Sequence, residues 1–497
     1  MNCTERHRAA AVAAALWVLV AGLLALYLVL FVASAAGRLG RPLEEFTYGE
    51  SWLLDGARQV ARGEGLYAPA DQMPLMHIAY TPVYYALVGG LLRVLGDSGY
   101  TLGRAVSLAA TLVAAGALAW SLRRLTAHWW VGLLAAGLFL TQNVTALLWG
   151  PLERVDPLAL AFTLIGLALC TAGRTSLGGL ALLLALATKQ AFVIAPLVVA
   201  IWLWPCRPRF VRFVAIVGGG SIGGVLLGQG LTHGWFLWHT VVANSNESDL
   251  NTFAALMGSF LQYNGVPVLA ALASLAVPSA HAPGQRLWRL YFVGCLLTLA
   301  SVAKLGASSN YWLELTAATS VMLALASYRL AAQPAARLVA PTIIAGSLLI
   351  AVPAYQATAV EVADTLAEGL RPSTPRYLSL VGDGDAATYR VDARFVEQVA
   401  REPGELLTDN AGLAVAAGKR VAFEFQIFQL LEAEGRWSEQ PILDAIARRR
   451  FSLVALMHPL DGPVQGTRWT PTLQSALEAS YVLHGSDSGF WLYRPRS

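Results

Sequence analysis

The 497-residue sequence has few charged residues and few cysteines, and each shortage excludes a class of protein. Only 13% of residues are charged against 56% hydrophobic, and the mean hydropathy is +0.54. Soluble domains carry about 25% charged residues, so the chain is not a soluble protein. The net charge of +4 comes from loop arginines and forms no nucleic-acid surface. The cysteines are scattered and indicate neither a disulfide framework nor a metal site; they are Cys3, Cys170, Cys206 and Cys295.

Long apolar runs recur through the first 357 residues. They predict an all-α polytopic membrane domain over 1–357 with about eleven transmembrane helices. The first run is too long for a signal-peptide core and predicts a retained anchor. The runs are 9–35, 102–122, 128–149, 157–173, 176–188, 190–204, 213–231, 253–277, 290–303, 311–327 and 338–357.

One further apolar segment, 80–95, decides the topology. It is about 16 residues long, short for a span, and contains Pro82 and Arg93. If it lies at the outer interface, ten later arginines fall in cytoplasmic loops and four other basic residues fall outside. If it spans, four fall inside and ten outside, against the positive-inside rule. We therefore predict an interfacial segment within a large outer loop, 36–100. The N-terminus is then cytoplasmic in an inner membrane, and the tail is extracytoplasmic.

The tail, 358–497, differs from the rest in charge density and in hydrophobic period. Strand-like runs at Glu405–Thr408, 421–425, 452–456, 481–484 and 490–493 alternate with helix-like runs at 390–401, 426–435, 440–449 and 471–479. This alternation predicts a small α/β domain. The tail contains no Gly-rich phosphate loop after a strand, no nucleophile elbow and no metal-ligand spacing.

Glu50 lies on the apolar side of a short amphipathic helix just after the first span. In TYGESWLLDGARQVARGEG, a helical period places Leu53 and Leu54 on the same side as Glu50. Asp55 and Arg58 share the other side, at the spacing of a solvated ion-pair stripe. The position of Glu50 indicates either a functional carboxylate or a first-turn acid favoured by the helix dipole.

Lys189 separates two short apolar runs, 176–188 and 190–204. One continuous helix would place Lys189 near mid-membrane and the basic CRPRFVR segment outside, against the positive-inside rule. Two short helices avoid both problems. They would place Lys189 on the floor of an outward-facing cavity.

Several other polar side chains fall on the predicted outer side. Ordinary explanations stay open for most of them: a helix cap for Asp156, snorkelling for Lys304 and loop polarity for His239. A carboxylate one turn into a span, as predicted for Glu314, is more often functional. The full set is Arg154, Asp156, His239, Asn246, Lys304, Asn310, Tyr311 and Glu314.

Carboxylates and cations at one membrane face suit transfer from a lipid-linked phosphate ester to a hydroxyl or amine. A carboxylate base would remove the acceptor proton, and Lys or Arg would stabilise charge on the leaving phosphate. A transporter or flippase of a lipid-linked glycan is the alternative, although no inverted repeat supports it.

The order of several motifs resembles the GT-C superfamily of polyprenyl-phosphate-dependent glycosyltransferases. The motifs are YGESWLLDGARQVARGEGLY, YTPVYYALVGGLLRVLG, GRAVSLAATL, LERVDPLALAF and ATKQAF. The layout is similar to that of aminoarabinose and protein mannosyl transferases, and closer to RgtA/B/C/D-like bacterial members. The likeness covers about the first 200 residues well and the remaining membrane part loosely.

The resemblance implies a polyprenyl-phosphate sugar donor, a glycan, lipid or protein acceptor, and inversion by direct displacement. It assigns Glu50 as the base, but the family's acidic pair is Gly49-Glu50 here. It matches Asp156 to a second acid and Lys189 to a contact of the donor phosphate. A lysine found before the interfacial proline in some relatives is replaced by Thr81, which makes Arg154 or Lys304 a substitute. Family members work with or without a divalent metal, and a catalytically inactive member is a further alternative.

Overall fold

The computed structural model of the chain describes residues 3–142, 144–245, 248–276, 283–304, 306–368, 377–381, 388–462 and 469–496. The chain folds into two compact units, each built from three stretches of sequence. The first unit comprises Met1–Gly37, Ala105–Gly224 and Glu247–Leu370. The second comprises Arg38–Arg104, Val225–Asn246 and Arg371–Ser497.

Helices account for most of the chain before the C-terminal strands. In chain order, α1 to α17 are Cys3–Leu39, Glu50–Ala61, Val83–Leu95, Tyr100–Thr126, Trp129–Gly137, Val144–Trp149, Val155–Thr171, Thr175–Thr188, Ile194–Leu203, Arg207–Val214, Gly220–Leu231, Trp235–Leu237, Leu250–Ser274, Pro283–Leu296, Leu313–Ala331, Val339–Ile350 and Val352–Glu368. Short π-helical turns occupy Leu138–Gln142, Ala215–Gly219 and Trp238–Val242, and 3₁₀ turns occupy Leu297–Ala303 and Ser309–Trp312.

The C-terminal part alternates strands and short helices. The strands β1 to β6 are Tyr377–Val381, Thr388–Asp392, Glu405–Thr408, Phe451–Leu456, Tyr481–Asp487 and Phe490–Pro495. The helices α18 to α22 are Ala393–Arg401, Ala411–Ala416, Phe425–Ala433, Gln440–Ala447 and Pro471–Ser480.

In the first unit, α15 is the central helix. Every residue from 313 to 327 is buried, because α15 packs against α5, α13, α14 and α16. An apolar helix covered on all sides places any polar residue it carries inside the protein. Glu314, in its first turn, is therefore held in the interior.

Within the described residues, five helical stretches are long and apolar enough to cross a membrane: His7–Leu39, Tyr100–Thr126, Arg207–Leu231, Leu250–Ser274 and Pro283–Ala303. A sixth is possible if Val339–Ile350 and Val352–Ala367, bent by 49°, count as one span. Shorter apolar helices include α7, α8 and α9. The prediction of about eleven spans stays a prediction. The interfacial assignment of α3 does too, although its 13 residues rise only about 20 Å.

The predicted break around Lys189 is confirmed. Helix α8 ends at Thr188, Lys189 is extended, and α9 begins at Ile194. The turn is closed by the N–H of Phe192, which donates to the carbonyl of Lys189 at 3.1 Å. Two helices of 14 and 10 residues thus replace a single long one.

In the second unit, a four-stranded sheet has the order β3-β4-β6-β5. Strands β3 and β4 are parallel, and the other neighbours are antiparallel. The hairpin β1-β2 pairs Tyr377 with Asp392. The core under the sheet also includes Ala70 and Leu75 from the segment between α2 and α3. The tail therefore shares its core with 38–104, and its independence as a domain over 358–497 stays a prediction.

The predicted α/β character of the tail is confirmed, with one error. Four of the five predicted strands form, but 421–425 is not a strand. There Phe423 makes only an isolated bridge to Leu75, because the neighbour that pairs with it is a loop distant in sequence. The hairpin β1-β2 and helix α19 were not predicted.

Candidate functional site

A cavity of about 230 Å³ lies in the first unit. It is bounded by the turn after α8, the first turn of α7, the 3₁₀ turn after α14 and the start of α15. Its lining residues are Asp156, Lys189, Ala191, Phe192, Val193, Ile194, Leu297, Thr298, Ser301, Asn310, Tyr311 and Glu314. Five of the ten residues predicted as site residues therefore meet around one cavity.

A buried ion pair forms one wall of this cavity. The Nζ of Lys189 donates to Oδ1 of Asp156 at 2.6 Å, and the side chains are 5% and 2% exposed. Asn310 donates from Nδ2 to the same oxygen at 2.9 Å. Oδ2 of Asp156 has no hydrogen-bond partner among the residues that the structure describes. Because a buried ammonium needs a fixed partner, Asp156 orients Lys189 within the wall.

Aromatic and carboxylate groups complete the surroundings of Lys189. The ring centroid of Tyr311 lies 5.0 Å from Nζ, and that of Phe192 lies 6.0 Å away. Glu314 also lines the cavity and accepts a hydrogen bond of 3.0 Å from the hydroxyl of Tyr291. The cavity thus combines one ammonium, two carboxylates and a mostly apolar surface.

Arg154 and Lys304 lie in the same unit but are not among the lining residues. Arg154 stacks on Trp149 at 4.7 Å, and Trp149 donates to Ser309, the neighbour of Asn310, at 2.8 Å. Burial and the charge of Lys189 lower the pKa of Lys304. The proximity of two ammonium groups makes this region favourable for an anion.

Glu50 lies in the second unit, and its predicted burial on the apolar side of α2 is confirmed. Its carboxylate is 0% exposed and pairs with the guanidinium of Arg104. Nε and Nη2 of Arg104 donate to the two oxygens of Glu50 at 2.8 and 2.9 Å. The N–H of Phe46 also donates to Oε2 at 2.9 Å. Glu50 is thus a bidentate ion-pair partner.

Arg104 was missed by the sequence reasoning. Its Nη1 donates to the carbonyls of Arg38 and Arg41, and its Nη2 also donates to that of Glu44. All five N–H groups are used. The ring centroids of Phe46 and Tyr100 lie 4.7 and 4.8 Å from Cζ of the guanidinium. The available signal was the arginine of GRAVSL, which sits in an apolar run and needs a buried acceptor.

Asp55 corrects the prediction of a solvated stripe on α2. It is only 1% exposed, because α3 and α19 both pack on this helix. Burial raises the pKa of Asp55, against the opposing effect of a hydrogen bond from Gln59. Arg62, by contrast, pairs with Glu64 near the surface as a solvated residue would.

His239 is buried in the second unit and its ring is fully used by backbone groups. Nδ1 accepts from the N–H of Ile78 at 3.2 Å, and Nε2 donates to the carbonyl of Ala68 at 2.8 Å. Burial lowers the pKa of His239 to about 4. The ring is therefore neutral and supports the loop 68–78. Asn246, the other candidate from this loop, lies outside the described residues.

Glu424 and His77 form a second buried contact that the sequence reasoning missed. The N–H of His77 donates to Oε2 of Glu424 at 2.9 Å, and Nε2 of His77 contacts the carbonyl of His239 at 2.8 Å. Burial raises the pKa of Glu424 to about 8. Among the described residues, no group of three or more His, Cys, Asp or Glu side chains is placed to hold a metal ion.

No family model and no curated protein matches the sequence. Among solved structures, ArnT from Cupriavidus metallidurans bound to undecaprenyl phosphate matches with a TM-score of 0.60 and 13% identity, covering 94% of this chain and 97% of that one. The apo state of the same protein matches with a TM-score of 0.60 and 12% identity, covering 97% and 98%. The chain therefore shares the fold of ArnT. The predicted fold class, an all-α GT-C-like membrane protein with a small C-terminal α/β part, is confirmed.

Proposed function

We propose that this chain is an integral membrane glycosyltransferase that moves a sugar from a polyprenyl-phosphate carrier to an acceptor. The observation that carries the proposal is the buried pair of Lys189 and Asp156 lining a cavity within a GT-C fold. A solved protein of this fold binds undecaprenyl phosphate. An ammonium held in an apolar cavity is suited to a phosphate that carries a lipid chain.

In this reaction, an acceptor oxygen or nitrogen forms a bond to the anomeric carbon while the bond from that carbon to the phosphate oxygen breaks. Polyprenyl phosphate leaves, and Lys189 stabilises its developing charge. Asp156 and Asn310 hold Lys189 in position, and Tyr311 and Glu314 shape the cavity. Lys304 adds positive potential, and Arg154 supports the wall through Trp149.

The acceptor proton needs a base, and Glu50 is the residue predicted for that role. Its oxygens already accept three hydrogen bonds. It can therefore take a proton only after its contact with Arg104 opens. Asp156, which has one oxygen without a hydrogen-bond partner among the described residues, is the second carboxylate available. The transfer assay is run with and without added Mg²⁺ or Mn²⁺ to measure whether the reaction depends on a divalent metal.

The reaction is proposed on the extracytoplasmic side of the inner membrane, with a cytoplasmic N-terminus. The loop arginines support this orientation through the positive-inside rule. A topology reporter fused after Ala357 tests it, because the fusion should report an extracytoplasmic position. A cytoplasmic signal would reverse the side of the proposed site.

Reconstitution with radiolabelled polyprenyl-phosphate sugars tests the function directly. The wild type should transfer label to an envelope acceptor extract, and Lys189→Gln should abolish most transfer. Arg401→Gln is the matched control, since Arg401 is an exposed cation paired within α18. Label that crosses the bilayer without transfer would favour the transporter. Donor binding with neither transfer nor transport would favour an inactive family member.

A further inference from the structure

A second cavity, of about 220 Å³, lies in the second unit. It is formed where β3 and β4 begin, next to the first outer loop. Its lining residues are Pro74, Gly404, Glu405, Leu406, Lys419, Arg420, Ala422 and Arg450. Three cations and one carboxylate therefore line this cavity. Its volume is below the lower limit of about 300 Å³ for pockets that bind drug-sized ligands. That size suits one sugar ring.

Two of the three cations already have carboxylate partners. Arg450 donates from Nε and Nη2 to the two oxygens of Glu405, both at 2.8 Å. Arg420 donates to Glu64 at 2.9 Å. These pairs orient the half-exposed guanidinium groups, and each guanidinium keeps N–H groups without partners among the described residues. Such N–H groups suit hydroxyl oxygens of a sugar.

Lys419 is the cation whose charge is not matched. Its Nζ donates to the carbonyls of Glu402 at 2.7 Å and Gly404 at 3.2 Å, and no described carboxylate lies within ion-pair distance. Glu402 is the C-cap residue that follows α18, so Lys419 also caps that helix. An ammonium has three N–H groups, and the third is left for a ligand.

The walls of the cavity are held by the core of the unit. Leu75, which follows Pro74, is 0% exposed and belongs to the core under the sheet. Its N–H donates to the carbonyl of Ala422 at 2.9 Å, and its carbonyl accepts from Glu424 at 2.9 Å. The positions of Pro74 and Ala422 are therefore fixed relative to Lys419, so the cavity is preformed.

We infer that this cavity binds a sugar residue carrying one anionic group, with Lys419 contacting the anion and Arg450 and Arg420 contacting hydroxyls. As a site for part of the acceptor, it rests on the proposed function; as a binding site, it does not. A carboxylated and a phosphorylated sugar share the required chemistry. Neutral sugars lack the group that would compensate Lys419.

Ligand-observed NMR on the full chain in nanodiscs tests the inference without any donor. The probes are D-glucuronate, D-glucose 6-phosphate and D-glucose. We expect one of the anionic sugars to bind and glucose to bind at least several-fold more weakly. The stronger anionic probe identifies a carboxylate or a phosphate as the recognised group. Equal binding of glucose, or binding of none of the three at millimolar concentration, would overturn the inference.

Variants locate the binding to this cavity. Lys419→Met should weaken binding of the anionic sugar by about tenfold, the contribution expected of one charged hydrogen bond. Arg450→Gln is the second variant, in case loss of the helix cap unfolds Lys419→Met, and should also weaken binding. Arg401→Gln should leave binding unchanged. Binding that persists unchanged in folded Lys419→Met and Arg450→Gln would refute the assignment. Transfer measured in the same preparations separates this result from failure of the proposed enzyme function.

Discussion

Arg104 and Glu50 form a fully buried bidentate ion pair, in which Nε and Nη2 of Arg104 lie 2.8 and 2.9 Å from the two carboxylate oxygens. The remaining N–H groups of Arg104 donate to the carbonyl of Arg38 in the last turn of α1 and to those of Arg41 and Glu44 in the segment that connects α1 to α2. Because both side chains are 0% exposed, neither can lose its partner without leaving a charge in the interior. The pair therefore fixes the path of the chain between the first helix and the helix that Glu50 begins.

Removing one partner should be costly. Glu50→Gln and Arg104→Gln should each destabilise the protein by about 3–5 kcal/mol, since each leaves a buried group uncompensated. The measurement is the apparent melting temperature in detergent. Glu64→Gln is the control, because it breaks two part-exposed pairs, with Arg62 and Arg420, and should cost at most about 1 kcal/mol. Equal melting temperatures for Glu50→Gln and Glu64→Gln would contradict the buried pair.

The same two variants separate a base from a purely structural Glu50. Below the melting temperature of both, a structural role predicts similar transfer rates for Glu50→Gln and Arg104→Gln. A base role predicts that Glu50→Gln has a far lower kcat than Arg104→Gln. The ratio of the two rates decides between these roles, because both variants disturb the same segment.

The Lys189 and Asp156 pair makes a prediction about coupling. Lys189→Met or Asp156→Asn alone should destabilise by about 3–5 kcal/mol, whereas the double variant should cost clearly less than the sum. Thermal unfolding of the four proteins in one detergent gives the coupling. Strictly additive effects would mean that the 2.6 Å contact has no energetic weight. In transfer assays, Lys189→Met should raise KM for the donor as well as lower kcat.

Two buried groups of the second unit should make stability depend on pH in opposite directions. Glu424 has its pKa raised from 4.5 to about 8, so its contribution is complete below pH 4.5 and is lost as pH rises to about 8. His239 has its pKa lowered from 6.5 to about 4, so its contribution is complete above pH 6.5 and is lost as pH falls to about 4.

Glu424→Gln isolates the first of these effects. The amide keeps the shape of the neutral acid and can still accept from the N–H of His77. The variant should gain melting temperature relative to the wild type as pH rises from about 5 to about 8. Glu478→Gln, a substitution of an exposed glutamate on α22, is the control. A constant difference between variant and wild type across this range would show that Glu424 does not titrate there.

Local patterns predicted much of the site, and long-range packing decided the rest. The break at Lys189 and the burial of Glu50 followed from helical period and membrane cost, which act within a few turns of chain. Asp55 was assigned to water because its wheel position is polar, but α19, more than 350 residues later, covers it. The hydrophobic periodicity of a helix carries no information about a contact with residues so far along the chain.

The partner of Glu50 illustrates the same limit. A buried carboxylate requires a cation, and the sequence offers many arginines in the predicted outer loop and at span ends. Arg104 is selected only when the segment that contains it in the second unit is placed against the start of α2, which is tertiary information. His239 was named as a candidate substrate contact with loop polarity as the open alternative, and the structure shows both of its ring nitrogens bound to backbone groups.

Close contact between α4 and α5 in the first unit gives a last prediction, about packing. A Cβ on Gly132 would lie 2.3 Å from the carbonyl oxygen of Ala119, a backbone atom that cannot move aside. Gly132→Ala should therefore separate the two helices and cost about 1–3 kcal/mol. Gly116→Ala on α4 is the matched control, because nothing lies within 4 Å of its Cβ position, and alanine favours a helix over glycine. We expect a lower apparent melting temperature for Gly132→Ala and an unchanged or higher one for Gly116→Ala. Equal melting of the two variants would show that this contact does not hold the helices together.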